Sequence, residues 1–247
     1  MKLLDIFTQL SVGEFAQLAI GNEGSGQIKS SDQEKLVPHI NLGMTALYKR
    51  FNLKEGRLKM MLVPGKVTYE INSRFAKSNG DSVELVKYLL DEDDPFYDDI
   101  LKIERVLTSS GYPFPLNDGT AIYSVHTPSM SKLRVPADIL DKAPGVPREL
   151  VTDTLELVYR ANHPKLGMPG MWVDLEEEEV ELPETHLEAL LYFVASRVHN
   201  PIGMTNEFHA GNTYYSKYLA ACQELENQNL QTDRTGGNTR AQRNGWV

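Results

Sequence analysis

The sequence predicts an α+β fold in which N- and C-terminal helices pack as a bundle, carry a β-rich insertion, and end in an extended C-terminal tail. Three observations predict it. Apolar residues recur at helical spacing before residue 57 and after residue 183. Between them the signals are short and extended, with Pro and Gly separating most segments. Residues 227–247 nearly lack apolar side chains. Helices, then strands, then helices favour α+β over an alternating α/β order. The expected domains are 1–57 with 183–227 as the helical bundle, 58–182 as the β-rich insertion, and 228–247 as the tail.

Residues 1–20 read as helical, and Ser11-Val12-Gly13-Glu14 matches a capping box inside the run, which predicts two short helices. Residues 21–30 read as a Gly/Ser/Asn linker. A second capping-box match, Ser31-Asp32-Gln33-Glu34, opens a helix carrying Leu36, Ile40, Met44, Leu47 and Phe51. Pro38 is expected to kink or restart that helix. After Gly56 the period changes, and residues 58–63 and 66–71, joined at Pro64-Gly65, form a hairpin candidate. Residues 100–108, 121–127, 132–135 and 154–161 are further strand candidates. Pro183, at the favoured first helical position, opens a stripe of Leu187, Leu190, Leu191, Val194 and Val198. The loop at 200–205 breaks it, and a second stripe follows: Phe208, Tyr215, Tyr218, Leu219, Cys222 and Leu225. Each stripe offers large side chains worth roughly 1.5–3 kcal/mol apiece on burial, before entropy is counted. That holds a bundle but does not order the tail.

With 247 residues and 41% hydrophobic content, the chain can bury one large core or two modest ones. A formal charge of −9 disfavours loose binding to nucleic acid or anionic membrane, and suits a surface that DNA passes without sticking. The single cysteine, Cys222, excludes an intramolecular disulfide framework and a cysteine-rich zinc site, and its place in an apolar stripe reads as a buried thiol. No apolar run approaches the ~18 residues of a spanning helix. Met1-Lys2-Leu3-Leu4-Asp5 lacks the apolar block of a signal peptide. The expectation is a protein used in a cytoplasm, or packed into something assembled there, with no membrane partner.

Signatures of catalysis and metal binding are weak. None of the six histidines forms a short metal-ligand spacing, and they read as surface or satisfied core residues. Asp91-Glu92-Asp93-Asp94, with Asp98 and Asp99, invites a calcium reading, but Pro95 falls where a ligand should be and the central glycine is missing. A solvated acidic loop is expected there, and a solvated edge at 176–179. The glycine-rich stretch at 21–26 follows no strand, so it does not read as a phosphate loop. Asp153, Arg160 and His163 read as a hydrogen-bonded strand end. No catalytic, cofactor or metal residue is assigned, and a non-enzymatic protein is expected.

Fixing one residue's backbone costs roughly 1–2 kcal/mol, so ordering about twenty polar residues costs on the order of 20–40 kcal/mol gross. The tail's composition buries too little to offset that, and alone it is expected to be disordered. Arg234, Arg240 and Arg243 offer bidentate donors for a partner's carboxylates, and Trp246, beside Val247, is a typical interface anchor. Sparse basic spacing and Asp233 oppose a nucleic-acid reading.

Several stretches carry a resemblance. They are Leu182-Pro183-Glu184 with residues 189–197, the last helix with Tyr214, Tyr215 and Tyr218, residues 42–51, and the segment from Pro64-Gly65 to Tyr69. In this order, with the polar tail, the chain resembles the head-to-tail adaptor (head-completion, or neck) proteins of short-tailed bacteriophages. The resemblance rests on packing patterns. It implies a helical bundle carrying a β domain, and a dodecameric homo-oligomeric ring between the portal protein and the tail nozzle or tail-tube protein. It also implies that the C-terminal tail docks on the portal while genomic DNA passes through the lumen without specific binding. The location implied is the virion neck, assembled in the host cytoplasm. Two alternatives stay open: another virion part (a tail-tube, nozzle or fibre-anchoring subunit), or a glycan-binding or enzymatic module using Tyr112, Phe114, Tyr123 and Trp172.

Overall fold

Leu36, Ile40, Met44 and Leu47 make one apolar face of a helix, and the computed structural model shows that face buried. The structure describes residues 1–167, 175, 177–199 and 205–228, with the backbone alone for 205–209. The fold is α+β, with helices and antiparallel sheets in two compact units. One comprises Met1–Leu53 with Pro164–Val247, the other Lys54–His163. Residues 164–182, expected in the β insertion, thus group with the helices. The reason is local: Leu3 N–H donates to Glu178 O at 2.8 Å and Val180 N–H donates to Met1 O at 2.8 Å, tying this stretch to the chain's start.

The helical unit contains α1 (Leu3–Val12), α2 (Ser30–Arg50), α4 (Leu187–Val198) and α5 (Thr205–Asn227). α4 is its centre, packing against α1, α2 and α5. Accordingly Leu190, Val194 and Ala195 have no exposed surface. α2 approaches α4 closely at Gly43, where an added Cβ would lie 2.7 Å from Leu190 Cδ1 and 2.9 Å from Phe193 Cδ1. A Gly43→Val variant is therefore expected to lose about 1–3 kcal/mol by overpacking, read from its urea midpoint. An unchanged midpoint would show that the two helices slide apart at no cost.

Several expectations are corrected here. α1 runs unbroken to Val12 and no second helix fills 13–20. Ser11 is not a cap: its hydroxyl donates to Gly21 O at 2.7 Å and accepts from Gly26 N–H at 3.1 Å. The presumed linker at 21–30 is consequently packed, with a 3₁₀ turn over Ala19–Gly24. Gly21 lies so near the Phe15 carbonyl that a Cβ would sit 1.9 Å from its oxygen. α2 starts at Ser30, with Lys29 as an N-cap making no side-chain bond, so Ser31 lies inside the first turn. It also continues through Pro38. Glu34 and Pro38 both sit on the exposed side, where water can take the carbonyl that proline leaves unbonded. On α5, Tyr218, Cys222 and Leu225 are buried while Tyr215 and Leu219 are exposed, so the true stripe is narrower than the expected one. The side chain of Phe208 and the loop at 200–204 lie outside the described residues.

The second unit holds β1 (Glu55–Met61), β2 (Thr68–Glu70), β3 (Leu89–Leu90), β4 (Ile100–Thr108), β5 (His126–Ser129), β6 (Lys132–Arg134), the short helix α3 (Ala137–Leu140) and β7 (Thr154–Ala161). A four-stranded sheet has the order β3-β1-β7-β4 and a three-stranded sheet the order β2-β6-β5. Leu58, Met60, Leu155 and Leu157 of the first sheet share one core with Tyr69 and Leu133 of the second. The expected hairpin of 58–63 with 66–71 does not form, because its arms enter different sheets. β1 is committed along its length to β7, from Glu55 opposite Arg160 to Met61 opposite Thr154. The arms are tied instead by the Tyr69 hydroxyl, which accepts from Val63 N–H at 2.8 Å. The candidate strand at 121–127 is largely turn: Val125 makes an isolated bridge to Leu116, and β5 begins at His126.

Candidate functional site

The five tail residues singled out for partner binding, Arg234, Arg240, Arg243, Trp246 and Val247, lie outside the described residues. The structure does define the platform from which the tail departs. Tyr218, Cys222 and Leu225 hold the last turns of α5 against the helical unit. Arg50, in the last turn of α2, donates from Nε to Glu226 Oε1 at 2.7 Å. That hydrogen bond, outweighing partial burial, holds the Glu226 carboxyl below its ordinary range. Burial pushes the Cys222 thiol up, so it stays protonated and is a poor nucleophile. Gln228 closes the helix, its backbone N–H reaching Glu224 O and its side-chain amide reaching Glu224 Oε1, each at 2.9 Å. Beside this end, a pocket of about 160 Å³ lies between the start of α4 and the end of α5. Glu188, Glu224 and Gln228 are among its lining residues. Two carboxylates at such a place can accept hydrogen bonds from basic or amide groups.

The histidines are dispersed. His186 is buried against the edge of Phe51, with ring centroids 4.8 Å apart, and its Nδ1 meets Thr185 Oγ1 at 3.0 Å. Burial pushes its pKa down, favouring neutral imidazole. His199 Nε2 meets Glu14 O at 3.0 Å and its ring stacks on Tyr214. His209 has no described side chain. Among the described residues, no group of three or more His, Cys, Asp or Glu converges in a way that could hold a metal ion.

The acidic run is corrected in part. Glu92, Asp93 and Asp94 are exposed, but Asp91 is buried. It accepts from Ser78 N–H and Phe96 N–H, each at 2.9 Å, and from the Ser78 hydroxyl. Burial alone would raise its pKa. The hydrogen bonds from Ser78 and Phe96 outweigh burial and hold the carboxyl below its ordinary value of 3.8. Asp98 accepts from Ser73 N–H at 2.7 Å, and Asp99 from the Tyr159 hydroxyl at 3.2 Å. Asp91 is thus a loop-closing acceptor. Because its folded pKa is depressed, its contribution is complete above the unfolded pKa and is lost as pH falls through the lower folded value. Asp91→Asn is expected to cost about 1–3 kcal/mol at pH 7 and progressively less as the solution is acidified below pH 4. Chemical denaturation at several pH values checks this, and a penalty that stayed constant into acid would refute it.

In the second acidic run Glu177 and Glu179 are exposed, as expected of a solvated edge; Glu177 pairs with Lys2 at 2.6 Å, and half-buried Glu178 accepts from Gly167 N–H at 3.1 Å. Asp153, Arg160 and His163 do not assemble. Asp153 pairs with Lys142 at 3.0 Å, Arg160 pairs with Glu104 at 3.0 Å, and His163 is buried. Of the aromatics considered for glycan binding, Phe114 belongs to the core, Tyr112 is exposed, and the Tyr123 hydroxyl donates to Gly145 O at 3.1 Å. Trp172 lies outside the described residues.

Two features had no counterpart in the sequence reading. Lys66 Nζ lies 4.3 Å from the Tyr88 ring centroid, 5.1 Å from that of Phe75 and 5.7 Å from that of Tyr69. Val83 and Leu85 are 93% and 99% exposed, at the approach to β3. The signal for the second was present as two aliphatics in a short stretch rich in Gly, Asp and Ser, but no period marks it. In comparisons with known proteins, no family model matches the chain and no curated protein matches it.

Proposed function

We propose that the chain is a non-enzymatic virion protein, a head-to-tail adaptor. In this reading it forms a homo-oligomeric ring between the portal and the tail nozzle or tail tube. Its C-terminal tail docks on the portal through Arg234, Arg240, Arg243, Trp246 and Val247, and the ring lines the DNA exit channel. The observation that carries the reading is the joint between a fixed helix and a polar tail. α5 is anchored by Arg50–Glu226 and by buried Tyr218, Cys222 and Leu225 up to the point where the apolar sequence stops. A rigid stem with an appended arginine- and tryptophan-bearing segment suits attachment to a neighbour through many simultaneous contacts. The net charge of −9 fits a channel that repels the DNA backbone. No cofactor is required.

Electron-microscopy class averages of particles carrying the chain test the reading. A ring of this protein seated directly on the portal supports it. A position farther along the tail assigns the protein to a tube, nozzle or fibre-anchoring role instead.

A further inference from the structure

We infer that His186 is an acid-operated latch: proton uptake by its imidazole unseats the first turn of α4, and with it the end of α5 from which the C-terminal tail departs. A 3₁₀ turn, Glu184–His186, runs directly into α4, so His186 lies in the first turn of one continuous helical run. Only 2% of its surface is exposed. Its ring packs on Phe51, itself 1% exposed, at the point where α2 ends. One ring nitrogen, Nδ1, meets the Thr185 hydroxyl; the other, Nε2, is buried with no hydrogen-bond partner among the described residues. The closed arrangement thus already carries one unmade bond. A second ring proton would add a full charge at a buried place that offers no acceptor for it. The position compounds the cost, because the free N–H groups of a helix's first turn disfavour a cation.

The titratable groups on the surrounding elements are engaged elsewhere or face water. At the end of α2, Arg50 pairs with Glu226 of α5 at 2.7 Å, the Tyr48 hydroxyl donates to Glu181 O, and Lys49 is exposed. On α4, Glu188 accepts from the Tyr192 hydroxyl at 2.8 Å. On α5, Glu224 accepts from the Gln228 amide at 2.9 Å, and the buried Cys222 thiol is uncharged. Glu184, in the turn itself, is exposed. None of these groups bonds the imidazole, and burial is what lowers its pKa from the ordinary 6.5. The sign follows: the latch is fully closed above pH 6.5. Below that value an opened form, with its imidazole in water, binds the proton more readily than the closed one, so acid favours opening. Opening reaches α5 because Thr185 and Ala189, on the α4 side, line the same pocket as Ala221 and Leu225 of α5. The residues that His186 holds in place form part of the seat of the tail's stem.

The chain supplies its own reporter. Cys222 is its single cysteine, has no exposed surface, and sits on the α5 turns in question. In the full-length chain, its reaction with 4,4′-dithiodipyridine, an aromatic disulfide that reacts in mild acid, reads the opening of that end. Each rate is divided by that of the urea-unfolded chain at the same pH, which removes the intrinsic pH dependence of the thiol. Between about pH 7.5 and pH 5 the wild-type ratio is expected to rise about tenfold. His186→Asn keeps an acceptor for the Thr185 hydroxyl and His186→Phe keeps the ring. Both lack the titrating group, and the rise is expected to vanish in each. His39, half-buried on α2, is unchanged in both variants, so any contribution from it survives and is separated. Should either substitution loosen the fold already at neutral pH, the ring-proton NMR titration of wild-type His186 decides, with a midpoint expected below 6.5. A flat wild-type ratio, an acid rise that persists in the variants, or an imidazole midpoint at or above 6.5 would overturn the inference. Its outcome is separate from the adaptor reading, since no capsid or portal enters the measurement.

Discussion

Deleting residues 229–247 is expected to leave a folded chain that no longer attaches to portal-containing capsids. The described core of the helical unit ends at Leu225, and the ion pair Arg50–Glu226 and the Gln228–Glu224 bonds all precede the cut. Thermal unfolding of the truncated chain is therefore expected within a few degrees of wild type, since surface changes away from core and caps stay within about 0.5 kcal/mol. Attachment, read by co-sedimentation with capsids, is expected to be lost. Two intermediate variants divide the effect. Trp246→Ala removes the aromatic anchor and is expected to cost about 2 kcal/mol or more of binding. Replacing Arg234, Arg240 and Arg243 with Ala removes charge-assisted donors, and the weakened binding should become less sensitive to salt. Undiminished attachment by the truncated chain would remove the tail from the mechanism.

Much of the fold was legible where local pattern and tertiary demand agree. β4 and β7 occupy the residues expected of them because each is a short run rich in aliphatic residues bounded by turn residues. α4 was equally plain, since its stripe packs against α1, α2 and α5. The hairpin at 58–71 failed because periodicity announces a strand without naming its partner. β1 found a seven-residue register with β7, and a turn at Pro64-Gly65 does not compete with that. Pro38 does not restart α2, because on that exposed side water can bond the carbonyl left without an N–H partner. Asp91 was hidden among solvated neighbours: a run of carboxylates looks uniform in sequence, yet one member closes a loop through three hydrogen bonds. Of the interaction surfaces, the tail is readable as composition.

Tyr88→Ala is expected to be the most damaging single substitution in the sheet unit, at about 3–5 kcal/mol. That is a large part of the 5–15 kcal/mol typical of a folded domain. The ring has no exposed surface, stacks on Phe75 at 4.8 Å and meets Tyr69 edge-on at 5.2 Å. Its hydroxyl accepts from Glu70 N–H at 3.0 Å and donates to Glu70 O at 2.7 Å. Truncation thus opens a cavity beneath β2 and leaves both backbone groups of Glu70 without that partner. Tyr88→Phe keeps the ring and separates the two losses, with about 1–2 kcal/mol expected for the hydrogen bonds alone. Burial pushes the phenol up to about 12, so it remains a donor throughout the neutral range. The raised value fixes the sign at alkaline pH: the hydroxyl's contribution is whole below pH 10 and is lost as pH rises from about 10 towards 12. In Tyr88→Phe that alkaline component disappears, so its penalty relative to wild type shrinks over the same interval. Denaturant titrations of both variants followed by circular dichroism supply the numbers. A Tyr88→Ala penalty below about 1 kcal/mol would mean that the core under Lys66 closes over the gap, and that the three-ring cluster does not hold β2 in place.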